Sequence, residues 1–252
     1  MFEESEQRFS RFLPTSELSR LNNAGEGGTM ISEDMRQVLT AAQNLGIRTQ
    51  HLVEVGVGAA VQEWGYDATF RDIKSVCDRS TRRSDTTWDL DGDMVRLAKG
   101  TKLDLGGIVK GWTCDRVVEA GFAIVASAGG DVRSTDPSLV VEIVDDKDDT
   151  AAEVVLGIGA LATSSRSKRR WLVEGREAHH IIDPRTMNPA ITPVVSASVI
   201  AETATEAEAG AKAVLILGVD GLKWADAQTW IHRAIVVWHD GNVYGNTLGV
   251  AS

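Results

Sequence analysis

The sequence predicts an α+β protein, and three observations carry that prediction. Residues 32–49, 110–120 and 203–217 place apolar or small side chains at helical spacing. Residues 194–201 and 230–238 are short runs rich in β-branched and apolar side chains, as strands are. Helical and strand-like segments then follow one another without strict β-α-β alternation. That order favours mixed sheets with packed helices over a doubly wound parallel sheet.

Each element has its own signal. Ser16 caps a short helix that stops at Asn22-Asn23. Gly65, Tyr66 and Asp67 mark a strand-to-turn junction. Ser32 caps the helix over 32–49, with Glu33 and Asp34 in its first turn. Met35, Val38, Leu39, Ala42 and Leu45 form its buried face, and Gly46 is expected to weaken its end. Residues 71–102 are polar with alternating segments around Val76 and over 95–97, as in hairpins with loops. The helix over 110–120 carries Trp112, Val117 and Val118. A buried strand follows at 122–126, then a Gly-Gly-Asp turn at 129–131. Strands at 138–144 and 153–158 flank a solvated tip, Asp-Asp-Lys-Asp-Asp, at 145–149. The strand over 194–201 leads to the alanine-rich helix over 203–217, which Gly218 stops. A further helix is expected over 221–229. The strand over 230–238 turns at Asp240-Gly241-Asn242 into Val243 and Tyr244.

Composition narrows the classes of function. The chain has 252 residues, 43% hydrophobic and 25% charged, which suits one large or two small globular domains. A net charge of −10 argues against nonspecific binding to nucleic acid or to an anionic membrane. There is no apolar core in the charged N-terminal stretch and no run of 18 apolar residues. The expectation is a cytoplasmic chain with neither a secretory signal nor a membrane span. Cys77 and Cys114 lack the spacing of a zinc site. Free buried thiols are expected, with a single disulfide as the alternative.

Several stretches carry candidate chemistry. In residues 103–115, LDLGGIVKGWTCD, an acid ends an apolar run, two glycines follow and Lys-Gly opens a helix. Glycines let backbone approach a ligand, and a helix start offers free N–H groups to an anion. Residues 179–185 put His179, His180, Asp183 and Arg185 around a proline turn. They form either a strand end with surface imidazoles or a site for proton transfer. In a continuous strand, His180 and Ile182 face one way and His179 and Ile181 the other. Residues 163–170 place four of the 26 basic residues beside four hydroxyls, as a solvated basic loop or a phosphate cradle. Glu208 and Lys212 are one helical turn apart, as an exposed ion pair or as a carboxylate aimed at a metal or ligand.

Taken together, these stretches resemble the ApbE family, the FAD:protein FMN transferases. The matching segments are FSRFLPTSELSRLN at 9–22, WGYDATF at 64–70, LDLGGIVKGWTCD at 103–115 and SAGGDVR at 127–133. ATSS at 162–165, HHIIDPRTMNPA at 179–190 and the segment 195–218 complete an ordered set. The resemblance implies an α+β, T-fold-like arrangement of mixed sheets and packed helices with a central FAD cleft. It implies one domain over 1–252, built as two intertwined lobes. It also implies transfer of FMN from FAD to a Thr or Ser hydroxyl of an acceptor protein, with AMP released and Mg²⁺ assisting. Carried onto this chain, Tyr66 and Asp67 line the flavin or adenine side. Asp104, Gly106, Gly107 and Lys110 surround the pyrophosphate. Gly129, Gly130 and Asp131 form the floor, and Thr163 and Ser164 contact the nucleotide. His180 is the general base, with Asp183 orienting the site. The metal ligands are Glu208 and the Gly107 carbonyl, with Lys212 beside them.

The chain departs from the family pattern in three places. The family's usual opening strand with its Met-Gly-Thr motif has no counterpart in this sequence, which opens close to the helix that follows it in the family pattern. Glu208 and Lys212 stand where the family usually has Asp and, four residues on, Thr. Trp112 replaces a usual Tyr. A lysine ammonium cannot ligate a metal, so two further readings stand beside the transferase. One is a non-catalytic FAD-binding protein with Lys212 as its built-in cation; the other is an FAD pyrophosphatase. An acceptor would carry a motif of the type Asp-Gly-x-Ser/Thr-Gly-Ala-Thr, which this chain lacks.

Overall fold

The computed structural model describes residues 1–25, 27–67, 87–145, 147 and 149–246. In chain order the elements are α1 (Phe2–Phe9), α2 (Glu17–Asn23), β1 (Thr29–Met30), α3 (Glu33–Arg48) and α4 (Gly58–Glu63). Next come β2 (Trp88–Asp91), β3 (Met94–Leu97), α5 (Val109–Glu119), β4 (Val125–Ala128) and β5 (Asp131–Ser134). They are followed by β6 (Val140–Val144), β7 (Thr150–Val155), β8 (Gly159–Ser165), β9 (Arg170–Val173) and β10 (Arg176–His179). The remainder are β11 (Ile182–Asp183), β12 (Asn188–Pro189), β13 (Val194–Ala201), α6 (Ala204–Leu217), α7 (Gly221–Asp226), β14 (Ile231–Trp238) and β15 (Val243–Gly245). The chain divides into two compact units, 1–109 with 169–189, and 110–168 with 190–252.

The first unit is mainly helical, with small antiparallel pairings. Strands β1, β3 and β2 form one three-stranded sheet, β9 pairs with β10, and β11 pairs with β12. Helix α3 starts at Ser32, whose side chain accepts from the Met35 amide, and it buries the five apolar residues expected of it. It also runs through Gly46 to Arg48, so the helix does not stop at that glycine. Gly46 is buried, and an added Cβ would lie 3.0 Å from Glu54 Oε1, so it serves packing. Of the polar stretch 71–102, residues up to 86, with Val76 and Cys77, lie outside the described residues. So do Ala68, Thr69 and Phe70 of the segment 64–70. The rest is a hairpin of β2 and β3 turning at Gly92, whose φ of 59° suits glycine. Helices α1 and α4 have no counterpart among the elements expected from the sequence.

The second unit is a six-stranded antiparallel sheet in the order β15-β14-β13-β8-β5-β4. Strand periodicity sorts its two faces. On β8, Ala160 and Ala162 join Cys114, Val117, Ala204 and Ala207 beneath α5 and α6. Leu161, one residue along, joins Ile143, Val154 and Leu156 of the β6–β7 hairpin on the other face. The small residues of α6 follow from its close seat on the sheet. Gly210 is one example, since a Cβ there would lie 2.9 Å from Val199 Cγ1. The β13 and α6 boundaries agree with the sequence, with Thr203 capping α6 and Gly218 (φ 60°) ending it.

Other boundaries differ. The strand expected at 122–126 begins at Val125, and Phe122 and Ile124 are exposed. Gly121, at φ 72°, first ends α5, and antiparallel pairing with β5 fixes where the strand can start. The strand expected at 138–144 begins only at Val140, and the one expected at 153–158 lies instead at Thr150–Val155, ending where Leu139 O accepts from both Leu156 N and Gly157 N in a turn. Their tip closes through Asp145 N to Asp149 O, while Asp146 and Asp148 lie outside the described residues. Helix α7 ends at Asp226, not 229, where Gln228 N turns back to Ala225 O. Among the described residues, no helix is long and apolar enough to cross a membrane.

A glycine and an aspartate join α5 to α6. Gly111 faces the start of α6 so closely that a Cβ would lie 2.6 Å from Ala204 O. Asp115, buried one turn further along α5, accepts from the Ala204 and Thr205 amides at 2.8 and 2.9 Å and from the Thr205 hydroxyl at 2.6 Å. It thus satisfies amides at the α6 N-terminus that lack intrahelical partners. Burial raises the Asp115 pKa, opposed by these hydrogen bonds and by Arg133. Gly111→Ala is expected to destabilise the protein by about 1–3 kcal/mol through overpacking against backbone. Gly27→Ala, where a Cβ meets nothing within 4 Å, should change stability by less than about 0.5 kcal/mol. Denaturant unfolding of the two variants checks the contrast.

Candidate functional site

In the second unit, four charged side chains converge. Lys110, in the first turn of α5, donates from Nζ to Asp131 Oδ2 and Glu208 Oε1, each at 2.5 Å. Glu208 Oε2 accepts from the Gly111 amide at 3.3 Å, and Lys212 Nζ stands 3.5 Å from Glu208 Oε1. Each position follows from its element. Asp131 opens β5 directly after Gly129 and Gly130, whose φ values of 59° and 101° make the tight turn out of β4. Gly129 lies against the lysine stem, where a Cβ would be 3.2 Å from Lys110 Cδ. Glu208 and Lys212 share a face of α6. The pair is not the exposed surface bridge that is one reading of the sequence, because the Glu208 side chain is 4% exposed.

The electrostatics are those of a buried network. Burial works against the Lys110 ammonium, but Glu208 and Asp131 outweigh it and hold its pKa above the usual lysine value. Burial likewise penalises the Glu208 carboxylate, and Lys110 and Lys212 reverse the effect, holding its pKa down. Asp131 goes the other way, pushed up to about 7 by burial and by the Glu208 charge. The two carboxylates differ because Glu208 has two ammoniums and an amide, whereas Asp131 relies chiefly on Lys110. Cys114, a free buried thiol next to this network, is pushed up to about 12 by burial, so it is not a thiolate at neutral pH.

In the first unit, the 9–22 segment holds the acid that begins the Gly-Gly corner. Asn22 makes a two-way amide clamp on Leu103, donating to its O at 2.8 Å and accepting from its N at 2.7 Å. Arg11 pairs with Asp104 Oδ2 at 3.0 Å, while Asp104 Oδ1 accepts from the Gly106 amide at 2.8 Å. The Arg11 guanidinium lies over the Phe12 and Tyr66 rings at 4.2 and 4.5 Å and donates to Tyr66 O. Tyr66 in turn stacks with Trp171 at 5.4 Å and meets His180 edge-on at 6.3 Å. Trp171 is fixed by its indole N–H, which donates to Trp64 O at 2.6 Å.

Most of the residues expected at the site fall into these two groups. Lys110, Asp131, Glu208 and Lys212 come together, with Gly129 against them and Gly130 in the adjoining turn. Tyr66 meets His180, and Asp104 bonds Gly106; Gly107 lies in the same unit as these. Other placements differ. Tyr66 is buried whereas Asp67 is exposed. Residues 163–165 belong to strand β8 and not to a loop, so Thr163 and Ser164 point to opposite faces of the sheet. Thr163 shares a 2.7 Å hydrogen bond with Ser198. The run 179–183 is not one strand, because β10 ends at His179 and β11 begins at Ile182, so strand alternation does not set how the two histidines face. Asp183 is buried and engages Arg185 Nε and Nη2 at 2.9 and 2.8 Å. Three organising residues escape sequence reading: Arg11, Asn22 and Asp115. Arg11 lies between two phenylalanines in Phe9-Ser10-Arg11-Phe12, a pattern that hints at cation–π packing.

The donor set does not fit a divalent metal. Glu208 already accepts from two ammoniums and an amide, and Asp131 from the same Lys110. Lysine only donates, and a dication here would face two like charges. Among the described residues, no group of three or more His, Cys, Asp or Glu is placed to hold a metal ion.

Arg11→Gln is expected to cost about 3 kcal/mol by leaving the Asp104 carboxylate without its partner. Adding Asp104→Asn should recover part of that loss. A double-mutant cycle by denaturant unfolding measures the coupling, and additive losses would deny the pairing.

Comparison with known proteins agrees with this architecture. The sequence profile of the ApbE family matches residues 1–235. The FAD:protein FMN transferase of Haemophilus influenzae is 26% identical over 239 residues, covering 84% of this chain and 69% of that protein. The protein of the same name from Treponema pallidum is 28% identical, with 87% and 70% covered. The one from Rhodobacter capsulatus is 28% identical over 90% of this chain, which spans 47% of that longer protein. Among solved structures, the ApbE protein of Thermotoga maritima superposes with a TM-score of 0.83 at 26% identity, over 96% of this chain and 84% of that one. The flavin transferase ApbE of Vibrio cholerae gives 0.77 at 23% identity, over 97% and 85%, and speaks for the fold alone. The α+β arrangement, the ordered segments and the profile match over nearly the whole length lead to one conclusion: this chain belongs to the ApbE family.

Proposed function

We propose that this chain is an FAD:protein FMN transferase, moving FMN from FAD onto a Ser or Thr hydroxyl of an acceptor protein and releasing AMP. The observation that carries the reading is the family match over 1–235, together with relatives that bear this name across most of the chain. The acceptor oxygen forms a bond to the phosphorus of the FMN half. The bond from that phosphorus to the bridging oxygen breaks, and AMP leaves with that oxygen. His180 takes the hydroxyl proton as general base, the role to which an imidazole is suited near neutral pH. Trp171 offers aromatic surface to a planar ring system, and its packing on the buried Tyr66, which Arg11 and His180 hold in turn, fixes it in advance. Asp183 stiffens the turn beside His180 through Arg185. Lys110 and the α5 N-terminus supply positive potential for the diphosphate. The Glu208 carboxylate, already engaged by two ammoniums and an amide, does not suit Mg²⁺.

A second reading, FAD binding without transfer, is favoured by one observation, the Lys212 ammonium beside Glu208. Incubating the protein with FAD and a peptide carrying the Asp-Gly-x-Ser/Thr-Gly-Ala-Thr motif separates the readings. Transfer gives flavin covalently on the peptide with equimolar AMP. Binding alone gives neither, and hydrolysis gives AMP and free FMN without peptide. In the same assay, His180→Ala should abolish transfer while FAD affinity stays within about threefold, a difference under 1 kcal/mol. A larger loss of affinity would make His180 a ligand contact and not the base.

A further inference from the structure

The four-residue network in the second unit is layered. The Asp131 and Glu208 carboxylates are 2% and 4% exposed, whereas the Lys110 and Lys212 side chains are 31% and 20% exposed. The carboxylates are therefore the more deeply buried members and the two lysine side chains reach nearer the surface. With all four groups ionised the charges sum to zero. Without Lys212 the count is two carboxylates against one ammonium, a buried net charge of −1 that would repel a phosphate and call for a bound cation. Lys212 supplies that missing charge covalently.

We infer that Lys212 is the resident counter-cation of this site, so that the chain engages the diphosphate of its dinucleotide through the Lys110–Lys212 pair without a divalent metal at Glu208. The inference rests on the proposed reading of FAD as the donor. Its physical content is a trade of mobile charge for fixed charge. An ammonium anchored to Glu208 by a one-turn spacing is present at any metal concentration, and it donates hydrogen bonds to phosphate oxygens where a metal would coordinate them. Gly129, lacking a Cβ, leaves the lysine stem room to lie flat against the turn.

Two measurements on the intact protein test this. The first titrates the protein alone with Mn²⁺, read by the free-ion paramagnetic resonance signal. The expectation is no one-to-one site at millimolar Mn²⁺ or tighter, and a stoichiometric site in the wild type overturns the inference whether or not FAD binds. The second measures FAD affinity by flavin fluorescence with Mg²⁺ or with EDTA. Wild-type affinity should agree within about twofold between the two conditions, and a loss of about tenfold in EDTA overturns the inference. Lys212→Met, which keeps the stem and removes the charge, should weaken FAD binding about tenfold in EDTA. Unchanged affinity in that variant also overturns it. Lys212→Thr serves the same comparison if the methionine variant unfolds. Absence of FAD binding under all conditions would instead refute the reading of FAD as donor, an outcome separate from a Mn²⁺ site.

Discussion

The arrangement of the second unit depends on one buried ion pair, Lys110 to Glu208, and on the glycine beside it. Lys110 reaches Glu208 only because Gly111 lets α5 approach the start of α6 to backbone distance. The Gly111 amide then bonds the same carboxylate. Asp115 secures the approach one turn further along α5 by satisfying amides at the α6 N-terminus, and Arg133 of β5 stands 3.5 Å from it. Asp131 and Arg133 share a face of β5, so strand and helices are tied twice on that face, with charge orders reversed. A buried charge without a partner is costly. The network therefore fixes the relative positions of α5, α6 and β5 far more narrowly than their alanine-rich contacts do.

The first unit uses the same logic with different chemistry. There the polar ties run from the N-terminal segment to the residues that precede the Gly-Gly corner. Asn22 clamps Leu103 and Arg11 clamps Asp104, while the Arg11 guanidinium also orders the Tyr66 and Trp171 rings. In both units, a residue near the glycine-rich segment is held by a partner far away in sequence. This accounts for the family resemblance being distributed over many short segments. Each segment contributes one half of a polar contact whose other half lies elsewhere.

Legibility in the sequence followed the strength of local signals. Helix α3 was readable to its cap because Ser32, two acids and five apolar residues at helical spacing all agree. Strand β13 and helix α6 were equally clear, the latter between Thr203 and Gly218. The short elements were less readable. Strand β4 starts where pairing with β5 permits, and residues 179–183 look like one strand but break after His179. Thr163 and Ser164, grouped with the basic residues that follow as a phosphate loop, are in fact strand residues, since β8 pairs with β5 and β13 on either side.

For the site, the sequence by itself determined the cast and little of the staging. It singled out Lys110, Glu208 and Lys212 as residue types able to handle phosphate or metal, and through the family resemblance Asp131 for the cleft floor, Tyr66 for a ring and His180 for a base. Only the tertiary structure decided that Lys212 stands beside a buried carboxylate already held by Lys110. Only it revealed the supporting roles of Arg11, Asn22 and Asp115. The physical reason is range. Helix caps and hydrophobic periodicity act over a few residues and are written locally, whereas an ion pair across 98 positions between Lys110 and Glu208 exists only after folding has brought two distant segments together.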